Sequence, residues 1–140
     1  MDNPKFEIGL DFYNNFQGYS TKDFIPTNLK NQNKGFVISS KLGQLKNKGD
    51  WTFHFYYAHI QRFAIVDYFA QNDWVRWDYS SFNASGARIS NFKGIELRIG
   101  YNIEKNLNLI LRGYVVQQLI TQGNFKEDGN RIRLDLNIKF

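Results

Sequence analysis

Apolar and polar residues alternate without a break at the end of the chain. Ile132, Leu134, Leu136, Ile138 and Phe140 hold one parity; Arg131, Arg133, Asp135, Asn137 and Lys139 hold the other. Successive side chains of a strand point to opposite faces, so this period predicts a strand with one greasy and one charged side. Five earlier segments follow the same rule. Phe6, Ile8, Leu10 and Phe12 alternate with Lys5, Glu7, Gly9 and Asp11, and Phe36, Ile38, Ser40 and Leu42 with Val37, Ser39, Lys41 and Gly43. Trp51, Phe53, Phe55 and Tyr57 alternate with Thr52, His54, Tyr56 and Ala58, and Ile95, Leu97, Ile99 and Tyr101 with Gly94, Glu96, Arg98 and Gly100. Leu107, Leu109, Leu111 and Val115 alternate with Asn108, Arg112 and Tyr114, Ile110 being the exception. Strands of roughly 9–11 residues are long enough to cross a bilayer at a barrel tilt.

The connections carry a second pattern. Residues 14–34, 63–91 and 118–129 are long links, and 45–50 and 102–106 are short ones, in strict alternation. Membrane barrels have tight turns on the periplasmic side and extended loops outside. Because the last loop is long, Phe140 ends on the periplasmic side, and the first strand starts there too. The expectation is an all-β, antiparallel transmembrane β-barrel segment of about six strands, residues 1–140 forming the C-terminal part of a larger or multi-chain barrel.

Composition sharpens this picture. Aromatic residues make up 17% of the chain while mean hydropathy is −0.51, which suits strands that are apolar on one face only. The net charge is +5 and there is no cysteine, so disulfides and thiolate metal sites are excluded. No run approaches the roughly 20 apolar residues of a spanning helix. No basic segment followed by an apolar run opens the chain, and the reading favours a natural start upstream of Met1.

Alternation alone does not separate a lipid-facing barrel from a soluble sandwich, whose apolar face meets a second sheet. Three features lean toward lipid. Phe6, Trp51, Tyr101 and Phe140 fall near the periplasmic ends of the apolar rows, and Phe12, Phe36 and Tyr57 near the external ends, as interfacial girdles would. The chain ends on Phe in phase with its apolar row, similar to the signal read by the outer-membrane assembly machinery. The polar parity is heavily charged, as a water-filled lumen tolerates, whereas a packed eight-strand interior would need most of that charge paired.

The run Lys46 to Arg62, with Lys48-Gly49-Asp50-Trp51 at the turn, resembles the porin family common in Bacteroidetes-type bacteria. Asn130 to Phe140 resembles that family's last strand, and Lys93 to Tyr101 followed by Asn106-Leu107 its penultimate hairpin. The resemblance implies a barrel considerably larger than six strands and no catalytic motif. Single-chain barrels have at least eight strands, so further strands, from the same gene product or a partner chain, are expected to complete the wall.

Candidate chemistry is limited. His54 and His59 lack acidic companions at ligand spacing, so no metal and no cofactor are expected. Ser39 or Ser40 beside His54 does not make a recognisable nucleophile–base pair, and no enzyme is expected. Arg98, Arg112, Arg131 and Arg133 share lumen parity on three consecutive strands and, with Lys41, Glu96 and Asp135, are candidate pore-lining residues. Two outcomes stay open for them: an anion-favouring ladder, or ion pairs neutralised by Glu96, Asp135 and Glu7. The loop 63–91 is unusually aromatic, and Tyr68, Phe69, Trp74, Arg76 and Trp77 are candidates for constricting the mouth; its first half could form a short helix. No nucleic-acid signature accompanies the basic charge, and membrane lipid is the expected surface. The expected function is part of an outer-membrane pore for passive diffusion of small hydrophilic, including anionic, solutes. The alternatives are a soluble periplasmic or lipid-binding β-barrel module, and a non-conducting structural piece that binds other envelope proteins.

Overall fold

A computed structural model describes residues 5–66, 73–75, 77, 89–121 and 125–139. It is all-β: β1 (Phe6–Asn14), β2 (Lys34–Gly43), β3 (Trp51–Ile60), β4 (Phe92–Glu104), β5 (Leu107–Gln118) and β6 (Arg131–Ile138), with one short 3-10 turn at Thr27–Leu29. Each strand pairs antiparallel with the next, in the order β1-β2-β3-β4-β5-β6. The sheet is open, since β1 and β6 do not pair with each other. β4 spans 13 residues and β6 spans 8, a wider range than the sequence pattern predicts. β4 gains Phe92 and Lys93 at its start because both continue the ladder to β3 and β5.

The two short connections are built by turn chemistry. Gly43 has φ 85° and Gly49 has φ 81°, values that a side chain strains. A Cβ on Gly43 would also lie 2.3 Å from the Trp51 carbonyl oxygen. Just after Gly49, the Asp50 carboxylate accepts the backbone N–H groups of Lys46 (2.9 Å) and Asn47 (2.8 Å), closing the turn. These donors hold the Asp50 carboxyl below its ordinary range. The β4–β5 hairpin turns through Lys105 and Asn106, with a bulge between Asn102 and Glu104. Asn102 laces the two turns together: its N–H donates to Asp50 O and its carbonyl accepts Gly49 N–H. Its side-chain amide donates to Asn47 O at 3.1 Å. An ion pair between Lys48 and Glu104 adds to this seam and raises the pKa of Lys48.

At the opposite end the long connections meet. Asn91, buried and at φ 64°, donates from its side chain to Ile120 O (2.7 Å) and accepts from Ile120 N–H (3.0 Å). Its carbonyl takes the Leu119 N–H, so one residue staples the β3–β4 connection to the β5–β6 connection. An Asn tolerates the left-handed conformation better than most residues, which suits it to this corner.

The β3–β4 connection folds back over one face of the sheet, here called the inner face. Ala64, Trp74, Val75 and Trp77 from the connection pack on Ala58, Ile60, Phe92, Tyr114 and Val116 of the strands, forming the buried core. Trp74 stacks on Phe92 at 5.5 Å and meets Tyr114 edge-on at 6.0 Å. The inner face is therefore not polar along its full height, as its parity alone suggests. Its long-loop end is apolar and covered, because Val37, Ala58, Ile60, Phe92 and Val116 share the parity of the charged residues. The outer face is the reverse: Ile8 and Leu10 are 72% and 71% exposed, and Ile132 is 82% exposed.

Candidate functional site

Register turns scattered polar positions into rows. Glu7, Lys41, His54, Arg98, Arg112 and Arg133 are successive partners, one on each strand, crossing the whole inner face. Strand parity predicts the shared face of Arg98, Arg112 and Arg133, and register now aligns them directly. Arg131 lies one row nearer the long loops, level with Gly9, Ser39, Tyr56, Glu96 and Tyr114. Its guanidinium sits 5.7 Å from the Tyr114 ring centroid. Asp135 falls one row toward the short turns, opposite Ile110.

Each arginine of the row meets a carboxylate. Arg98 forms a two-pronged pair with the fully buried Glu96, Nη2 donating to Oε2 at 3.0 Å and Nε to Oε1. Its guanidinium also lies 4.6 Å from the Tyr56 ring centroid. Arg133 donates from Nε to Asp135 (2.6 Å) and from Nη1 to Asp73 (2.7 Å). Arg112 contacts the same two carboxylates, Asp135 at 2.9 Å and Asp73 at 3.8 Å. The Arg112 Nε–H is not aimed at Asp135 Oδ2, so that contact is electrostatic rather than a hydrogen bond. Two arginines and two aspartates thus close a ring whose charges cancel. At the β1 edge of the same face Glu7 pairs with Lys5 (2.9 Å) and Lys41 (3.6 Å).

Asp73 arrives from the β3–β4 connection. It reaches over β4 and β5 to Arg133 on β6, and Arg112 is about halfway along β5. The connection therefore descends along the inner wall to its middle. Trp77 is fixed at the long-loop end by its indole N–H donating to Ser90 O at 2.8 Å, and Ser90 Oγ donates to Arg62 O at 2.8 Å. Of the residues expected in the constriction, Trp74 and Trp77 are buried on this wall. Tyr68, Phe69 and Arg76 lie outside the described residues, as does most of the expected short helix; residues 61–66 run through turns and bends.

The aromatic rows lie on the outer face. Trp51 and Tyr101 are direct partners near the short-turn end, about half exposed, with Phe6 one row further in. Phe12 pairs with Phe36 at the long-loop end; Phe36 stacks on His59 and tilts against Tyr57. Phe140 lies outside the described residues. Among the described residues no cluster of three His, Asp or Glu side chains is placed to hold a metal. Sequence reading missed Asp73 as a partner of the arginines and missed Tyr114 as part of the core. Parity could have found Tyr114, but no local signal marks Asp73.

A continuous antiparallel meander, apolar outside and charged inside, with a loop folded on its inner face, is the wall of a β-barrel. The family model described as "Putative porin" matches residues 2–140, and the chain belongs to that family. Family membership implies the outer membrane. No curated protein and no solved structure matches the chain.

Proposed function

We propose that the chain forms part of the wall of a water-filled outer-membrane pore through which small hydrophilic solutes diffuse passively. The exposed apolar outer face carries this reading. Among the described residues, sixteen large apolar side chains at paired strand positions are exposed on it, from Phe6 on β1 to Ile138 on β6. In water they contribute nothing to folding; hydrocarbon on that face supplies the burial worth about 1.5–3 kcal/mol for each fully covered side chain. From Leu107 to Gln117, ten steps at ~3.4 Å and a tilt near 40° give a band about 26 Å tall, which matches a bilayer core.

In this reading Phe6, Trp51, Tyr101 and Phe140 anchor the periplasmic interface, and Phe12, Phe36 and Tyr57 the external one. Phe140 and its strand engage the assembly machinery. The open edges of β1 and β6 pair with further strands, from the same polypeptide or a partner chain, because unpaired backbone in lipid costs several kcal/mol per group. Lys41, Arg98, Arg112, Arg131, Arg133 and Asp135 line the lumen, the buried Glu96 holds Arg98 in place from behind, and the β3–β4 connection narrows the pore. The pairing of Arg98, Arg112 and Arg133 with carboxylates supports a modest rather than steep preference for anions.

The test is the behaviour of the purified protein. It should require detergent or lipid to stay monodisperse and β-rich, and vesicles reconstituted with the complete barrel, its further strands included, should leak a neutral sugar. A monodisperse, β-rich protein in detergent-free buffer overturns the membrane reading. Vesicles that hold the sugar with the complete barrel present overturn the pore.

A further inference from the structure

We propose that the inner wall holds a discrete oxyanion subsite, in which Lys41, His54, Arg98 and Arg112 take the carboxylate or phosphate group of a small solute. It rests on the pore reading above for the route by which the solute arrives. The four basic residues are successive partners on β2, β3, β4 and β5, spanning about 14 Å at ~4.8 Å per strand. They line one cavity of 340 Å³, together with Thr52 and Ile110. Among the described residues, no carboxylate lines it.

The acids that pair with Lys41, Arg98 and Arg112 stand outside this lining. Glu7 lies on β1, outside Lys41; Glu96 is one row nearer the long loops than Arg98; Asp135 is on β6, outside Arg112; and Asp73, 3.8 Å from Arg112, comes from the β3–β4 connection. The pairs thus fix the direction of Lys41, Arg98 and Arg112 while the lining between them stays basic. Arg98 uses Nε and Nη2 on Glu96, so its Nη1 edge is outside that pair. Guanidinium donors match carboxylate and phosphate oxygens in geometry as well as charge. A bound oxyanion would also relieve the mutual repulsion of basic groups on neighbouring strands.

Gly100 keeps the cavity hollow. A Cβ there would come within 2.9 Å of Leu45 Cδ1 and of Thr52 Cγ2. The volume is at the small end for ligand sites, roughly 300–1,000 Å³, which selects a small metabolite over a polymer.

The experiment titrates the detergent-purified protein with inorganic phosphate, with citrate, and with glucose as the uncharged control, by isothermal calorimetry. At least one of the two anions should bind saturably, and glucose should not. Lys41→Gln should weaken that binding about tenfold and Lys41→Arg should restore it. Gly100→Ala, which changes no charge, should also weaken it. Arg131→Gln, on the inner face but outside the cavity, should leave it within twofold. Absence of saturable binding by both anions overturns the subsite, and so does equal weakening by Lys41→Gln and Arg131→Gln, which would mean diffuse charge. Neutral-sugar leakage from vesicles holding the complete barrel, measured in parallel, separates the two readings. Anion binding without leakage sinks the pore and keeps the subsite; leakage without binding does the reverse.

Discussion

Asp73 and Arg133 meet at 2.7 Å on the middle of the inner face, although 60 residues separate them in the chain. The same carboxylate touches Arg112, so one loop residue ties β5 and β6 to the connection that leaves β3. In Asp73→Asn the charge is lost and the loop keeps its apolar packing and the Trp77–Ser90 hydrogen bond. Partly exposed ion pairs are worth ~1 kcal/mol or less each, so the sheet should stay folded. The loop should become cleavable by protease in the intact protein, and reversal potentials should shift toward anions. A loop as protected as in the parent protein would mean that Trp74, Val75 and Trp77 hold it alone.

Leu97 stands on the outer face in the middle row with Ile8, Phe55 and Ile132. Leu97→Arg should cost about 2–4 kcal/mol of folding free energy in vesicles, the range for Arg or Lys at a bilayer midplane. Urea titration of vesicle-folded protein measures it. A cost below 0.5 kcal/mol would place water or protein, not lipid, on this face.

Asn91 combines a left-handed backbone with side-chain bonds to Ile120. Asn91→Gly keeps the backbone and loses the bonds to the partly buried Ile120 N–H and C=O, a cost of about 0.5–1.5 kcal/mol for each hydrogen bond. Asn91→Ala adds a backbone penalty of roughly 1–2 kcal/mol. The ordering parent, then Gly, then Ala should appear in urea midpoints. Equal midpoints for the two variants would show that the corner relaxes out of the left-handed region.

The Asp50 turn should be acid-sensitive. Its folded pKa lies below the ordinary 3.8 because the Asn47 and Lys46 amides bond the ionised form. Its contribution is thus complete above that value and fades as pH falls through the lowered one. The amides of Lys46 and Asn47 should be protected from hydrogen exchange at pH 6, keep that protection at the ordinary 3.8, and lose it only as pH falls further, through the lowered value. Asp50→Ala should lack protection at both. Unchanged exchange in Asp50→Ala would assign the turn to Gly43, Gly49 and the Asn102 lacing.

Much of the wall was legible because alternation is a local property. Ile132, Leu134, Leu136 and Ile138 reveal their common face from sequence alone, and the same rule puts Arg98, Arg112 and Arg133 together. The rule failed where a polar-parity position is apolar. Val37, Ala58 and Val116 face inward, and only the returning connection explains why: Trp74, Val75 and Trp77 need an apolar bed. The carboxylate that meets Arg112 and Arg133 was equally hidden, since Asp73 sits in a loop without period and its partners are 39 and 60 residues away.

The sequence by itself determined the six strands, their two faces and the long-short order of the links. A two-residue period and turn chemistry need only neighbours along the chain to act. The tertiary structure decided which residues stand side by side across strands, how Lys41, His54, Arg98 and Arg112 come to surround one cavity, and where the long connection lies. Those depend on register and on contacts between distant segments, for which a side chain carries no local mark.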